Sequence, residues 1–567
     1  MSYDLVVRNG TVIDGSGNPR IRADIGVSGG KIAAIGRIRE RGADEVDAEG
    51  HFVTPGFIDG HTHLDAQVCW DPLGTCSSWH GVTSVVMGNC GFTIAPTRSS
   101  ERQLALRSLE RAEDISAEVL AAGVDWTWET YAEYLSVVDG LPKGINFAGF
   151  VGHSALRPYV MGEAAFERAA TDDELAAMCR EVRSAMRAGA IGFSTSRSSN
   201  HATTTDSPVA SRLADWREVQ ALTGVMTELG GGIFQLAQES YADPAQNQEY
   251  RDRLTQLGVN SGRPILFVAG APAYDDEKVR ETLRWIEQSN AIGGRLVGCV
   301  HTREFISVMG FRVGLPFDSL PLWKELRARS LDDQRAVLAD PITRAPYVEE
   351  AMGGGYRGAI GAEIRPPKWE LLRVLHDPNG PWATVAELAA QRGTTPVDVM
   401  IDESLAANFD RYFAQPFANL NLDAVLTFLR HPNTVIGIAD TGAHVSQLLD
   451  SSIPTHLLSY WVREREAFTW EQAVRMLTFD PALTWGLRDR GLLREGMAAD
   501  LTIFDPATVS QRLPETAYDQ PGGMRRLIQK ADGYLATVVN GSVLLRDGVH
   551  TGALPGQVLR GPCATRL

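Results

Sequence analysis

Eight apolar runs, each short enough to be a strand buried on both faces, alternate with helical stretches along the middle of this chain. They begin near Phe57, Ser84, Ile145, Ala190, Gly232, Pro264, Arg295 and Thr434. Alternation of this kind belongs to a parallel α/β fold rather than a sandwich, and eight strands are the number that closes a (β/α)8 barrel. Helical signals fall where such a barrel needs them. Thr171-Asp172-Asp173-Glu174 has the spacing of a capping box ahead of Leu175, and residues 275–288 are amphipathic.

At 567 residues the chain is too long for one ordinary domain. Its first segment, 3–53, is built of short alternating runs such as Leu5-Val6-Val7-Arg8-Asn9-Gly10-Thr11-Val12, broken by turn residues. The same texture returns in Leu501-Thr502-Ile503-Phe504 and Thr537-Val538-Val539-Asn540-Gly541. The two ends are therefore expected to share one small β-sandwich domain, from 1–54 and 486–567, around a barrel over 55–485. The stretch 307–432 is far longer than a strand-to-helix connection and contains helical segments at 321–338 and 385–408. It reads as an inserted lid near the barrel mouth.

A formal net charge of −16 argues against a nucleic-acid partner. Met1-Ser2-Tyr3-Asp4 lacks a basic, apolar leader, and no apolar run has membrane-spanning length, so the expectation is a soluble, cytoplasmic protein without membrane contact. The six cysteines are scattered, which suits free thiols or ligands rather than a disulfide framework. Self-association into a homo-oligomer stays open.

Reactive groups in such a barrel gather at the C-terminal ends of the strands. The first strand ends in Asp59-Gly60-His61-Thr62-His63-Leu64-Asp65. Residues i and i+2 of a strand share a face, so His61 and His63 can present two imidazole nitrogens to one divalent cation. An isolated His-x-His is more often structural, but here a Pro55-Gly56 turn launches the strand and Asp65 is close enough to accept an imidazole N–H. The second strand ends in Asn89-Cys90-Gly91, where Cys90 is either a thiolate ligand or a small buried thiol. The eighth delivers Asp440, a carboxylate that after such an apolar run wants a metal, a histidine or a water, or else serves as a turn residue. His444 is a weaker candidate. After the third strand, His153 can donate to an oxyanion and Arg157 can hold an anion, or either can pin the loop. The fourth strand offers Arg197 and His201 but no lysine, so it supplies no bridging carbamylated lysine.

Together, Gly56-Phe57-Ile58-Asp59-Gly60-His61-Thr62-His63, Gly88-Asn89-Cys90-Gly91-Phe92, Val151-Gly152-His153-Ser154-Ala155-Leu156-Arg157 and Gly437-Ile438-Ala439-Asp440 resemble the amidohydrolase superfamily, and within it the D-aminoacylase branch. Arg490-Gly491-Leu492-Leu493-Arg494-Glu495-Gly496-Met497-Ala498-Ala499-Asp500 is similar to that superfamily's return into its small β domain. The resemblance implies that His61 and His63 are metal ligands, Cys90 a ligand or bridging thiolate, and Asp440 a metal-associated general base. Zinc is the implied metal, and amide hydrolysis of N-acyl-D-amino acids the implied reaction, with Arg157, Arg197 or Arg303 receiving the substrate carboxylate.

The resemblance breaks at the fifth and sixth strands, where that branch carries metal-binding histidines. By rough register Ala237 and Ala269 stand in their places. The expectation is then one zinc per chain on His61, His63 and Asp440, with Cys90 close enough to join. Gln235, Gln238, Glu239, His201 and His301 are candidate replacements that no spacing selects. Two other readings remain: a hydrolase of cyclic amides, imides or carbamates, and a barrel that has lost catalysis and serves as a binding protein.

Overall fold

The structure, a computed structural model, describes residues 3–271, 275–356, 365–445 and 450–565. Eight parallel strands follow one another around a barrel: Phe57–Asp59, Val82–Met87, Asn146–Gly152, Gly192–Ser196, Ile233–Ala237, Ile265–Val268, Leu296–Val300 and Thr434–Ile436. Each starts within a few residues of its expected position. Their continuous apolar character follows from two buried faces. Ile58, Val86, Phe150, Ile233, Leu266, Cys299 and Val435 fill the interior, and their neighbours Phe57, Val85, Phe147, Phe234, Phe267 and Ile436 turn outward against the helices. The capping box forms as read, with the Thr171 side chain accepting from Glu174 N at the start of Asp172–Ala188.

The seam between the first and eighth strands is closed by a side chain. A Cβ on Gly60 would lie 2.0 Å from Cζ2 of Trp485, and one on Gly437 would lie 2.8 Å from its Cη2. The indole thus wedges between two glycines, and direct backbone pairing resumes only beyond them. There His63 N donates to Thr441 O (2.8 Å) and Asp440 N donates to His61 O (3.1 Å). This closure sets the histidine pair and Asp440 side by side.

Both chain ends build one sheet of nine hydrogen-bonded strands, in which Phe52–Pro55 from the first end lies beside Leu501–Phe504 from the second. Leu5, Val7, Ile25, Val53, Leu501, Ile503 and Val538 gather in its core. Residues 555–561 have left the sheet and run along the barrel's N-terminal end, where Leu559 N donates to Phe147 O (2.7 Å) and Gly561 N to Gly189 O (2.9 Å).

The insertion holds helices, as its periodicity suggests, and also a three-stranded antiparallel sheet of Phe305–Met309, Phe413–Ala418 and Arg373–Val374. It has its own core around Trp323, Leu326, Met400 and Phe413. The next helix, Leu422–Leu429, packs Val425 and Phe428 into the barrel's core. The described residues that share the insertion's core lie between Met309 and Phe413, within the 307–432 stretch. All six cysteines are free. No described helix is long and apolar enough to cross a membrane.

Candidate metal centre

His61 and His63 lie just past the end of the first strand, held from both sides. Thr62 N and Thr62 Oγ1 both donate to Val86 O at 2.9 Å, while the eighth-strand loop bonds the backbone of His61 and His63 on the other flank. Thr62 is thereby turned toward the second strand, and the imidazoles point into the barrel mouth. Their Nε2 atoms converge on Asp440 Oδ1, at 3.2 Å from His61 and 3.5 Å from His63. Both Nδ1 atoms are buried without a hydrogen-bond partner. Asp65 does not serve them. Its Oδ2 accepts from Gly88 N at 2.9 Å, anchoring the second strand's exit, because its side chain faces that turn. Burial raises its carboxyl to about 7.

Cys90 arrives on a left-handed turn, with φ of 78° at Gly88, 53° at Cys90 and 80° at Gly91. That turn lifts the thiol toward the histidines and is fixed by Gln235, whose Oε1 accepts from Cys90 N at 2.7 Å. Cys90 Sγ lies 3.4 Å from His61 Nε2. Burial, with Glu113 and Asp440 nearby, pushes the thiol well above its ordinary value. Ligating atoms of His61, His63 and Cys90 all fall within 4.8 Å of one another. Donors bound to one zinc-like ion at about 2.0–2.3 Å sit about 3–4 Å apart, so the residues fit such an ion.

Asp440 also stands on a left-handed residue, φ 48°, which turns its carboxylate back over the mouth. Burial pushes its pKa up, but His61 and His63 outweigh this and hold it well below the usual range. Glu113, which the sequence reading passed over, completes the group. It follows the helix Arg102–Leu109, is almost wholly buried, and brings Oε2 to 3.5 Å from His63 Nε2 and 3.7 Å from His444 Nε2. Its only sequence signal was one more acidic residue in a charged stretch. Burial first, then Asp440 and Asp65, raise its pKa well above the ordinary value.

The remaining candidates separate. His153 is buried between Thr195 Oγ1 (2.8 Å) and Glu218 Oε1 (2.7 Å), so neither ring nitrogen is left for an oxyanion. Arg157 is paired with the same Glu218 at 2.5 Å. Arg197 is paired with Glu239 at 2.6 Å, and Arg303 with Asp450 at 3.2 Å. These arginines are drawn into ion pairs because each is largely buried beside a carboxylate. None of Arg157, Arg197 and Arg303 lines the cavity above the centre, a space of about 390 Å3. The arginine that does is Arg365, from the insertion, stacked over the Phe417 ring at 4.0 Å. Burial lowers its pKa.

Ala237 faces that cavity from the fifth strand, as its register suggests. At the sixth strand Val268 and Gly270 face it, and Ala269 does not, because alternation turns Ala269 outward with Phe267. Neither strand supplies a ligand. Gln238 lines the cavity while donating to Val268 O (2.9 Å), and His201 lines it with Nδ1 bonded to Ser196 Oγ (2.7 Å). His301 faces Asp450 instead, at 3.3 Å.

The sequence profile described as the amidohydrolase family matches residues 44–344 and 359–545. A D-aminoacylase from Alcaligenes xylosoxydans xylosoxydans is 29% identical over 570 residues, covering 98% of this chain and 97% of the relative. An N-acyl-D-aspartate deacylase from the same organism is 30% identical over 565 residues, covering 98% and 95%. A solved D-aminoacylase, studied for one-metal activation and second-metal attenuation of its binuclear centre, matches with a TM-score of 0.65 at 25% identity, over 98% of this chain and 100% of the other. With barrel, split sheet and converging donor atoms in place, this chain belongs to the amidohydrolase family, as a hydrolase of carbon–nitrogen bonds other than peptide bonds.

Proposed function

We propose that the protein hydrolyses the amide bond of N-acyl-D-amino acids, with zinc held by His61, His63, Cys90 and Asp440. The observation that carries this reading is one cavity with that donor set at its floor and a guanidinium, Arg365, in its wall. When bound, the metal would polarise the scissile carbonyl and lower the pKa of water. The chain's own groups do the rest. Asp440, ionised and partly open to the cavity, accepts a proton from the attacking water and returns it to the departing nitrogen. Arg365 receives the substrate carboxylate, its plane set by Phe417. Val268, Phe305 and Ile438 give an apolar wall suited to an acyl chain. The two deacylating relatives support this substrate class.

A panel of N-acyl-D- and N-acyl-L-amino acids, neutral amides and cyclic imides tests it. The D-acyl amino acids should be turned over best. Arg365→Met should lower kcat/KM for them about 10- to 100-fold, since a charge-assisted hydrogen bond contributes about 1.5–3 kcal/mol, while neutral amides are little affected. Preference for a cyclic imide, or an equal loss on neutral amides, would refute the assignment.

A further inference from the structure

We propose that Gln235 is a positioning residue for the metal centre: from a fifth strand that supplies no ligand, its amide holds Cys90 in the turn that presents the thiol beside His61. This rests on the reading that His61, His63, Cys90 and Asp440 hold a metal. Ile233, Gln235 and Ala237 share the inner face of that strand, with Ile233 in the barrel's interior and Ala237 at the cavity. Gln235 stands between them, buried, one layer beneath the position that faces the cavity. An amide enclosed there is costly unless both of its ends find partners. Both ends face one residue: Oε1 accepts from Cys90 N at 2.7 Å, and Nε2 is directed at Cys90 Sγ, 4.0 Å away. That orientation is fixed, because the opposite one would set the amide NH2 against the Cys90 N–H.

The turn needs such support. Cys90 carries a side chain at φ 53°, a left-handed conformation that persists only where the surroundings enforce it. Ser194, from the fourth strand, brackets the turn from its other side: its Oγ donates to Gly88 O and accepts from Gly91 N at 3.1 Å. The flanking glycines admit this close seating, since a Cβ on Gly88 would lie 2.6 Å from Phe150 O and one on Gly91 would lie 2.8 Å from Thr195 Cα. The third and fourth strands thus hold the ends of the turn, and Gln235 holds the residue that brings the thiol. An N–H facing the sulfur also complements a thiolate once a metal is bound, which is how partners outside the ligand set orient and tune a ligand.

The test is cobalt binding to the full-length protein, read as the thiolate-to-cobalt absorption in the near ultraviolet and as affinity from competition with a chelator. Wild type should show the absorption, and Cys90→Ser should lose it. Gln235→Met keeps the length of the side chain and removes both polar ends. It should lose most of the absorption and bind cobalt about 10- to 100-fold more weakly, with circular dichroism unchanged. In the Cys90→Ser background the same substitution should weaken cobalt by less than about 3-fold, because Gln235 acts through Cys90. Ser194→Ala loosens the turn while leaving Gln235 in place, and should dim the absorption too, so a poorly folded Gln235→Met does not end the test. Undiminished absorption in either variant, or equal weakening with and without Cys90, would overturn the proposal. Cobalt bound by wild type without the absorption would refute Cys90 as a ligand and the proposal with it, whereas no cobalt at all would refute the underlying metal centre.

Discussion

Asp440 is a carboxylate that two imidazoles hold ionised, and the proposed mechanism makes it the base. Replacing it with Asn keeps the shape and removes that proposed base. Metal-loaded Asp440→Asn should lose about 10²- to 10⁴-fold in kcat, measured at saturating substrate. The His153–Glu218–Arg157 cluster tests a different role. Its groups are buried and satisfied by one another, tying the helix His153–Met161 to the helix Trp216–Glu228. Glu218→Gln leaves a buried guanidinium unpaired and should cost about 3–5 kcal/mol of stability by denaturant titration at pH 7. Burial opposes ionisation of Glu218, but His153 and Arg157 outweigh it and hold the carboxyl at about 2, below the ordinary 4.5. A depressed folded-state pKa stabilises fully above the ordinary value and progressively less as the pH falls toward 2. The wild-type advantage should therefore shrink between about pH 4.5 and 2, and a constant difference would contradict the ion-pair role.

At the scale of elements, the seam between first and eighth strands is the part most exposed to small changes. Gly60 and Gly437 exist in that form because Trp485 occupies the space a Cβ would need. Gly60→Ala should force the indole or the strand aside, costing about 1–3 kcal/mol and lowering metal affinity, because His61 begins at the next residue. Differential scanning calorimetry paired with metal content checks both. Unchanged values would mean that Trp485 is not the wedge described. The insertion carries Arg365 and Phe417 to a cavity whose floor belongs to the barrel.

At the scale of the whole molecule, the barrel strands were legible because burial on both faces writes them as unbroken apolar runs, and turn residues punctuate them. His61, His63, Cys90 and Asp440 were legible because each stands at the end of such a run. The loops were not. Nothing local distinguishes Glu113 from its charged neighbours, and only tertiary closure brings it against His63 and His444. Arg157, Arg197 and Arg303 misled for the reverse reason, since a sequence does not display the carboxylate that will neutralise each one. Everything functional above depends on the histidine pair that the seam closure presents. The most direct measurement is metal content and N-acyl-D-amino-acid turnover of the His61→Ala/His63→Ala double variant beside wild type, both purified without chelator and checked for fold by circular dichroism. Wild type should carry metal and hydrolyse the substrate, while the folded variant loses the metal at this centre and its activity together. A variant that keeps both, or a wild type that neither carries nor gains metal on reconstitution, would contradict the metal-hydrolase centre.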